Sequence, residues 1–152
     1  MNKFDKALIH LLDIEGGYSN DFADRGGETY YGVSRRFHPE TFDKIHAAKT
    51  DAERYGILAG FYYQTFWVPM RCESFHYPIA YELFEIAVNL GIAGATRVAQ
   101  QAAQVYDTAI SIDGVYGPRT FKALRDFAEA RPVNMLGALN VMQGVAYRDI
   151  VA

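Results

Sequence analysis

Phe4, Ala7, Leu8, Leu11 and Leu12 recur at the i, i+3, i+4, i+7 spacing of one buried helix face, and at Gly16 that pattern stops. Asn2 is placed to cap this helix and Gly16-Gly17 to end it. From Gly16 to Gly32 the chain runs through Gly, Asp, Asn, Ser and Tyr without a period, which predicts a long loop or irregular hairpin. Loops of that length inside compact domains are usually functional or disordered. The aromatic residues in this one argue against disorder.

Helical signals dominate the rest. A short helix is expected after Pro39, and Thr50-Asp51-Ala52-Glu53 is a capping box opening a helix to about Phe66. Pro78 starts another that Gly91 should end, followed by an Ala/Gln-rich helix over 93–106. Asp113-Gly114 marks a turn, Gly117-Pro118 launches a helix through Glu129, and a last helix follows Pro132. Strand-like alternation is almost absent. The expected fold class is all-α, a single compact domain over 1–152 with halves of about 1–70 and 71–152.

Composition excludes several function classes. Half of the 152 residues are apolar and 22% are charged, which is a globular balance and not that of a disordered chain. Fifteen Lys and Arg against eighteen Asp and Glu give −3, no footprint for gripping a nucleic-acid backbone. The single cysteine, Cys72, cannot form an internal disulfide and reads as a buried or inert thiol. His10, His38, His46 and His76 show no metal-ligand spacing, so no metal or cofactor is expected. No stretch approaches the ~18 apolar residues of a membrane span, Ile86–Ala95 being nearest, and the N-terminus does not read as a signal peptide. The expected location is therefore the cytoplasm as synthesised.

Glu15 is the first residue with a chemical reading. At about 100° per residue it continues the Phe4, Leu8, Leu11 stripe, at the negative end of the helix. Desolvation and the dipole both favour a protonated carboxyl, as a general acid near neutral pH requires. The alternative is a partly exposed Glu at a fraying end. The loop beyond carries Asp21, Asp24, Glu28 and Thr29 between two glycine pairs, which lets it fold back over the helix end. A second carboxylate facing an elevated Glu is the arrangement that cleaves glycosides, and Thr29 could hold a water. Each loop carboxylate is equally open to a turn or surface role.

Further candidates lie elsewhere. Glu82, Glu85 and Asn89 share one side of the Pro78 helix, opposite Ile79, Leu83, Phe84 and Ala87. That side is either a solvated face or the wall of a glycan cleft, with Asn89 bonding an N-acetyl group. Phe61 and Phe66 are expected in the core. Tyr18, Tyr30, Tyr31 and Trp67 stand as candidate sugar-stacking residues, with core packing as the other reading for Tyr30, Tyr31 and Trp67.

Glu15-Gly16-Gly17-Tyr18, then Asn20-Asp21, Asp24, Gly26-Gly27, Thr29 and Gly32-Val33-Ser34, resembles the N-terminal signature of glycoside hydrolase family 108. Those are lysozyme-like N-acetylmuramidases, often phage- or prophage-encoded endolysins or named secretion activators. The resemblance implies a lysozyme-like fold and makes Glu15 the catalytic acid. Where that family has Asp-Pro-Gly-Gly, this chain has Asp24-Arg25-Gly26-Gly27. In phage-type lysozymes a Glu at a helix end precedes an Asp by nine residues and then a Thr. That parallel favours Asp24 over Asp21 as the second carboxylate, and by analogy an inverting outcome.

Phe84-Glu85-Ile86-Ala87-Val88-Asn89-Leu90-Gly91 and Ile112-Asp113-Gly114-Val115-Tyr116-Gly117-Pro118-Arg119-Thr120 resemble the accompanying peptidoglycan-binding region, Glu85 replacing its usual Asp. The implied function is cleavage of the β-1,4 bond between N-acetylmuramic acid and N-acetylglucosamine in peptidoglycan. The implied setting is the cell wall in the periplasm after non-classical release, with a holin-type or secretion-system partner. Many relatives continue past the point matching residue 152 with another aromatic-rich stretch. A non-catalytic wall-binding or secretion-accessory module and a lytic transglycosylase are the alternatives.

Overall fold

The computed structural model describes residues 1–15, 17–20 and 26–151, the side chain of Glu15 excepted. The chain divides into two compact units, Met1–Thr65 and Phe66–Ala152. Among the described residues the architecture is all-α apart from one small antiparallel sheet, in agreement with the sequence reading.

The first unit opens with α1, Lys3–Glu15. The Asp5 amide donates to Asn2 Oδ1 at 2.8 Å, so Asn2 is the cap the sequence indicated. Phe4, Ala7, Leu8 and Leu11 are buried, each large side chain contributing about 1.5–3 kcal/mol. The loop after α1 is a hairpin: β1 (Tyr18–Asn20), β2 (Glu28–Tyr30) and β3 (Val33–Ser34) pair in that order. Its register sets Tyr18 opposite Tyr30 and Ser19 opposite Thr29, then Thr29 opposite Ser34.

α2 (Pro39–Ala47) starts on its proline and buries Phe42 and Ile45. α3 (Asp51–Tyr62) has the full capping box: Glu53 N–H donates to Thr50 Oγ1 at 3.1 Å, and Thr50 N–H to Glu53 Oε2 at 3.3 Å. Past Tyr62 the helix widens into a π-helical turn, Tyr63–Trp67, where a plain α-helix to about Phe66 was expected.

In the second unit a 3-10 turn, Cys72–Ser74, precedes α4 (Tyr77–Ala103), and α5 (Pro118–Ala130) and α6 (Pro132–Val151) follow. The two helices expected on either side of Gly91 are present and meet in a kink at that residue. Gly91 sits in it at φ 75°, ψ 170°, a conformation that glycine adopts without steric cost. Ala95, Ala99, Ala102 and Ala103 are buried on α4, small side chains that let α5 and α6 approach with Leu124, Phe127, Met135 and Leu139.

By length and composition α4 is apolar enough to cross a membrane, contrary to the sequence expectation; 44% of its apolar window is buried within the protein. That burial is what a core helix requires.

Gln100, 1% exposed, organises the turn before α5. Its Nε2 donates to Asp113 Oδ1 at 2.8 Å and Thr120 Oγ1 at 3.1 Å, and its Oε1 accepts from the amides of Asp113 and Gly114 at 3.1 and 3.0 Å. Gly114 is left-handed at φ 76°. The Asp-Gly and Gly-Pro-x-Thr elements are thus two sides of one buried carboxamide socket. Gln100→Ala should strand these amides and cost about 3 kcal/mol, read as a lower urea midpoint with an unchanged m-value.

Candidate functional site

The loop that follows α1 holds the candidate chemistry, and its described parts are fixed by hydrogen bonds. Tyr31 is left-handed at φ 49° without being glycine. Its N–H donates to the Gly17 carbonyl at 3.0 Å, and its carbonyl accepts the Tyr62 hydroxyl at 2.7 Å. Tyr62 is 1% exposed, so this bond ties the turn to the core. On the other side of the sheet, Ser34 Oγ donates to the Gly26 carbonyl at 2.7 Å. A Cβ on Gly26 would lie 3.4 Å from the Thr29 methyl, so glycine lets the chain run close against Thr29.

Glu15 is the last residue of α1. The side chain of Glu15, together with Asp21 and Asp24, lies outside the described residues. Thr29 is half-buried on β2. Tyr18, Tyr30 and Tyr31 form an aromatic row, with ring centroids 6.1 and 5.3 Å apart in turn. Tyr18 is 53% exposed.

Trp67 requires a correction. It is 1% exposed, with its ring edge-on to Phe84 at 5.5 Å and its Nε1 donating to Glu73 Oε2 at 3.3 Å. A side chain packed in this way is core and cannot stack on a sugar. Phe61 and Phe66, expected in the core, are half-buried. Cys72 is buried, as the sequence suggested.

Glu28 has a role that spacing could not show. Its Oε2 accepts the Tyr18 hydroxyl at 2.5 Å and its Oε1 accepts Arg35 Nη1 at 2.8 Å. The Tyr18 hydrogen bond, and then the Arg35 charge, hold the carboxyl below the usual Glu range, and the same bond raises the Tyr18 hydroxyl. Glu28 is therefore a fixed anion and no proton donor. With Asn20, Gly26, Gly27, Arg35 and Arg36 it lines a polar cavity of about 410 Å³. A second cavity, about 320 Å³, is lined by Leu12, Tyr31, Asp51, Arg54, Tyr55 and Leu58.

In the second unit, Glu85 is half-buried and Asn89 exposed on α4. Glu82, one turn earlier, is half-buried, and that desolvation, with the neighbouring Glu85 charge, pushes its carboxyl up to about 7. The solvated-face reading of this side of α4 therefore fails at Glu82.

Residues 8–91 match the model of the glycosyl hydrolase 108 family. The chain belongs to that family. Residues 94–152 match a predicted peptidoglycan domain. The two matches together make it a member of a peptidoglycan-acting glycosyl hydrolase family. No curated protein matches the chain. Among solved structures it is similar to SagA from Brucella abortus, with a TM-score of 0.68 and 22% identity over 92% of this chain and 76% of that one. At that identity the likeness shows a shared fold. The family's glycine-rich signature falls on the hairpin just described.

A carboxyl that stays protonated in the fold but ionises on unfolding makes stability fall as pH rises. For Glu82 the fall should run from the ordinary value of 4.5 to about 7 and then level off. Glu82→Gln should remove this slope and stabilise the protein at pH 8 by about 1 kcal/mol, a figure discounted for solvent screening. Urea melts of both proteins at pH 5 and pH 8 check this.

Proposed function

We propose that this family member is an N-acetylmuramidase, hydrolysing the β-1,4 bond between N-acetylmuramic acid and N-acetylglucosamine. Glu15 is the general acid, Asp24 the second carboxylate with Asp21 as the alternative, and Thr29 positions the attacking water. Tyr18, Tyr30 and Tyr31 offer ring faces to the sugars.

The observation that carries this reading is a pair of anchors. Gly17, two residues after Glu15, is hydrogen-bonded to Tyr31, and Gly26, two residues after Asp24, is hydrogen-bonded to Ser34. Tyr31 lies in the turn between β2 and β3, and Ser34 lies on β3 opposite Thr29. The described residues that follow Glu15 and Asp24, Gly17 and Gly26, are thus both held to the hairpin that carries Thr29. General acid–base cleavage of a glycoside needs two carboxyl groups about 5–9.5 Å apart around a water or sugar carbon. The pinning of Glu28 as an anion adds support, because it removes one of the four carboxylates of this stretch from competition for the acid role.

Glu15→Gln should lower the release of reducing ends from purified peptidoglycan by on the order of 10³-fold, with an unchanged thermal melt. Asp24→Asn should give a comparable loss, which a lytic transglycosylase would not show. Anhydro ends in the wild-type digest would replace hydrolysis with transglycosylation. Wall pelleting without any new ends would leave a binding module.

A further inference from the structure

Phe121, in the first turns of α5, is where two arginines meet. The Arg71 guanidinium carbon stands 3.6 Å from its ring centroid and that of Arg125 5.9 Å. Arg125 also donates from Nη1 to the Ser74 carbonyl at 2.9 Å, which holds it beside the 3-10 turn. Both arginines are exposed. Arg35, Arg54 and Arg148 each have a carboxylate partner. Among the described residues Arg71 and Arg125 have none, like Arg97, Arg119 and Arg131, but they alone meet over one aromatic ring.

The backbone under Arg71 is left-handed, at φ 52°, ψ 38°. A non-glycine residue is strained there, and glycine would not be. Strain that is retained under a charged, unpaired side chain points to a use for that side chain. Tyr116 adds a second mark. Its ring is 6.5 Å from Phe121, and its buried hydroxyl has no hydrogen-bond partner. The Gln100 socket positions Tyr116, since it bonds the residues on either side: Asp113, Gly114 and Val115 before it, and Thr120 after it.

A guanidinium lying on a ring by its face keeps its N–H edge outward, and that edge matches a carboxylate in bidentate fashion. Sugar rings offer no such anion. In peptidoglycan the abundant ones are the carboxylates of the peptide stems.

We propose that Arg71, stacked on Phe121, and Arg125, held beside the same ring by the Ser74 carbonyl, form a binding site for the carboxylates of peptidoglycan stem peptides. The site rests on the reading that the chain works on peptidoglycan, and makes it prefer glycan strands that still carry stems. The muramic-acid lactyl group is a second source of the same chemistry, so it is tested beside the stem.

The test is an NMR titration of the full chain with free L-Ala-D-Glu-diaminopimelate and, separately, with N-acetylmuramic acid. The tripeptide should bind with a Kd on the order of 1 mM, weakened at least tenfold in Arg71→Gly and in Arg125→Gln. Arg71→Gly relieves the backbone strain, so its thermal melt should not fall with its affinity. Arg125→Lys should recover part of the binding lost in Arg125→Gln, because it restores the charge. Equal binding by wild type and variants, no tripeptide binding, or binding of N-acetylmuramic acid alone would each overturn the proposal. Wild-type release of reducing ends from peptide-free glycan tests the hydrolase reading by itself. That reading can therefore fail while the stem site stands, and the reverse.

Discussion

The Tyr62 hydroxyl bonded to the Tyr31 carbonyl is the contact on which the candidate site depends. The hairpin after α1 has little apolar side chain to bury, and its β1 residues are all exposed. Its position must therefore come from polar contacts to something rigid. Tyr62 sits in the core on α3 and supplies one. Tyr31 then passes the constraint on through its own N–H to Gly17, immediately beyond the helix end. Its left-handed backbone costs energy, and one bond at each side of the residue keeps it there. If Tyr62 lost its hydroxyl, the core would hardly notice the missing atom, while the loop would lose its tether.

The second unit uses the same principle with a different group. Gln100 is buried on α4 and spends both ends of its carboxamide on the Asp113–Thr120 turn. A buried amide left unpaired is costly, so the turn and α4 specify one another. The turn in turn carries Tyr116 and feeds into α5, where Phe121 and Arg125 reside. A short signature that reads as a simple turn therefore fixes the aromatic floor on which two arginines are displayed.

Periodicity and punctuation made the helices legible. The Phe4-to-Leu11 stripe, the Thr50 capping box and the prolines at 39, 118 and 132 each correspond to a local energy term, and each element starts where that term acts. Gly91 was legible in the same way: at φ 75° it breaks the run where the first helix was expected to end, and a second helix follows. Trp67 and Glu82 were not legible. Whether an aromatic is core or a carboxyl is desolvated depends on which other elements cover it, and no local spacing contains that information. The Glu28 clip was hidden likewise: its partners Tyr18 and Arg35 lie ten residues before and seven after it, and are joined by sheet register.

That clip bears on how a chain rich in loop carboxylates can direct protons. Glu15, Asp21, Asp24 and Glu28 fall within fourteen residues, and four equivalent carboxyls would compete for any proton in the site. Glu28 is withdrawn from that competition by a phenol and a guanidinium, both of which favour its anion. Its negative charge is met by the Arg35 guanidinium at 2.8 Å, so the carboxylate stands in the sheet as one half of an ion pair. Releasing the anion by changing Arg35 would leave Tyr18 in place and still alter the field, so the clip is electrostatic as much as structural. The sheet register thus does more than shape a loop: by bringing Tyr18 and Arg35 to Glu28 it favours the anion at one carboxylate of the four.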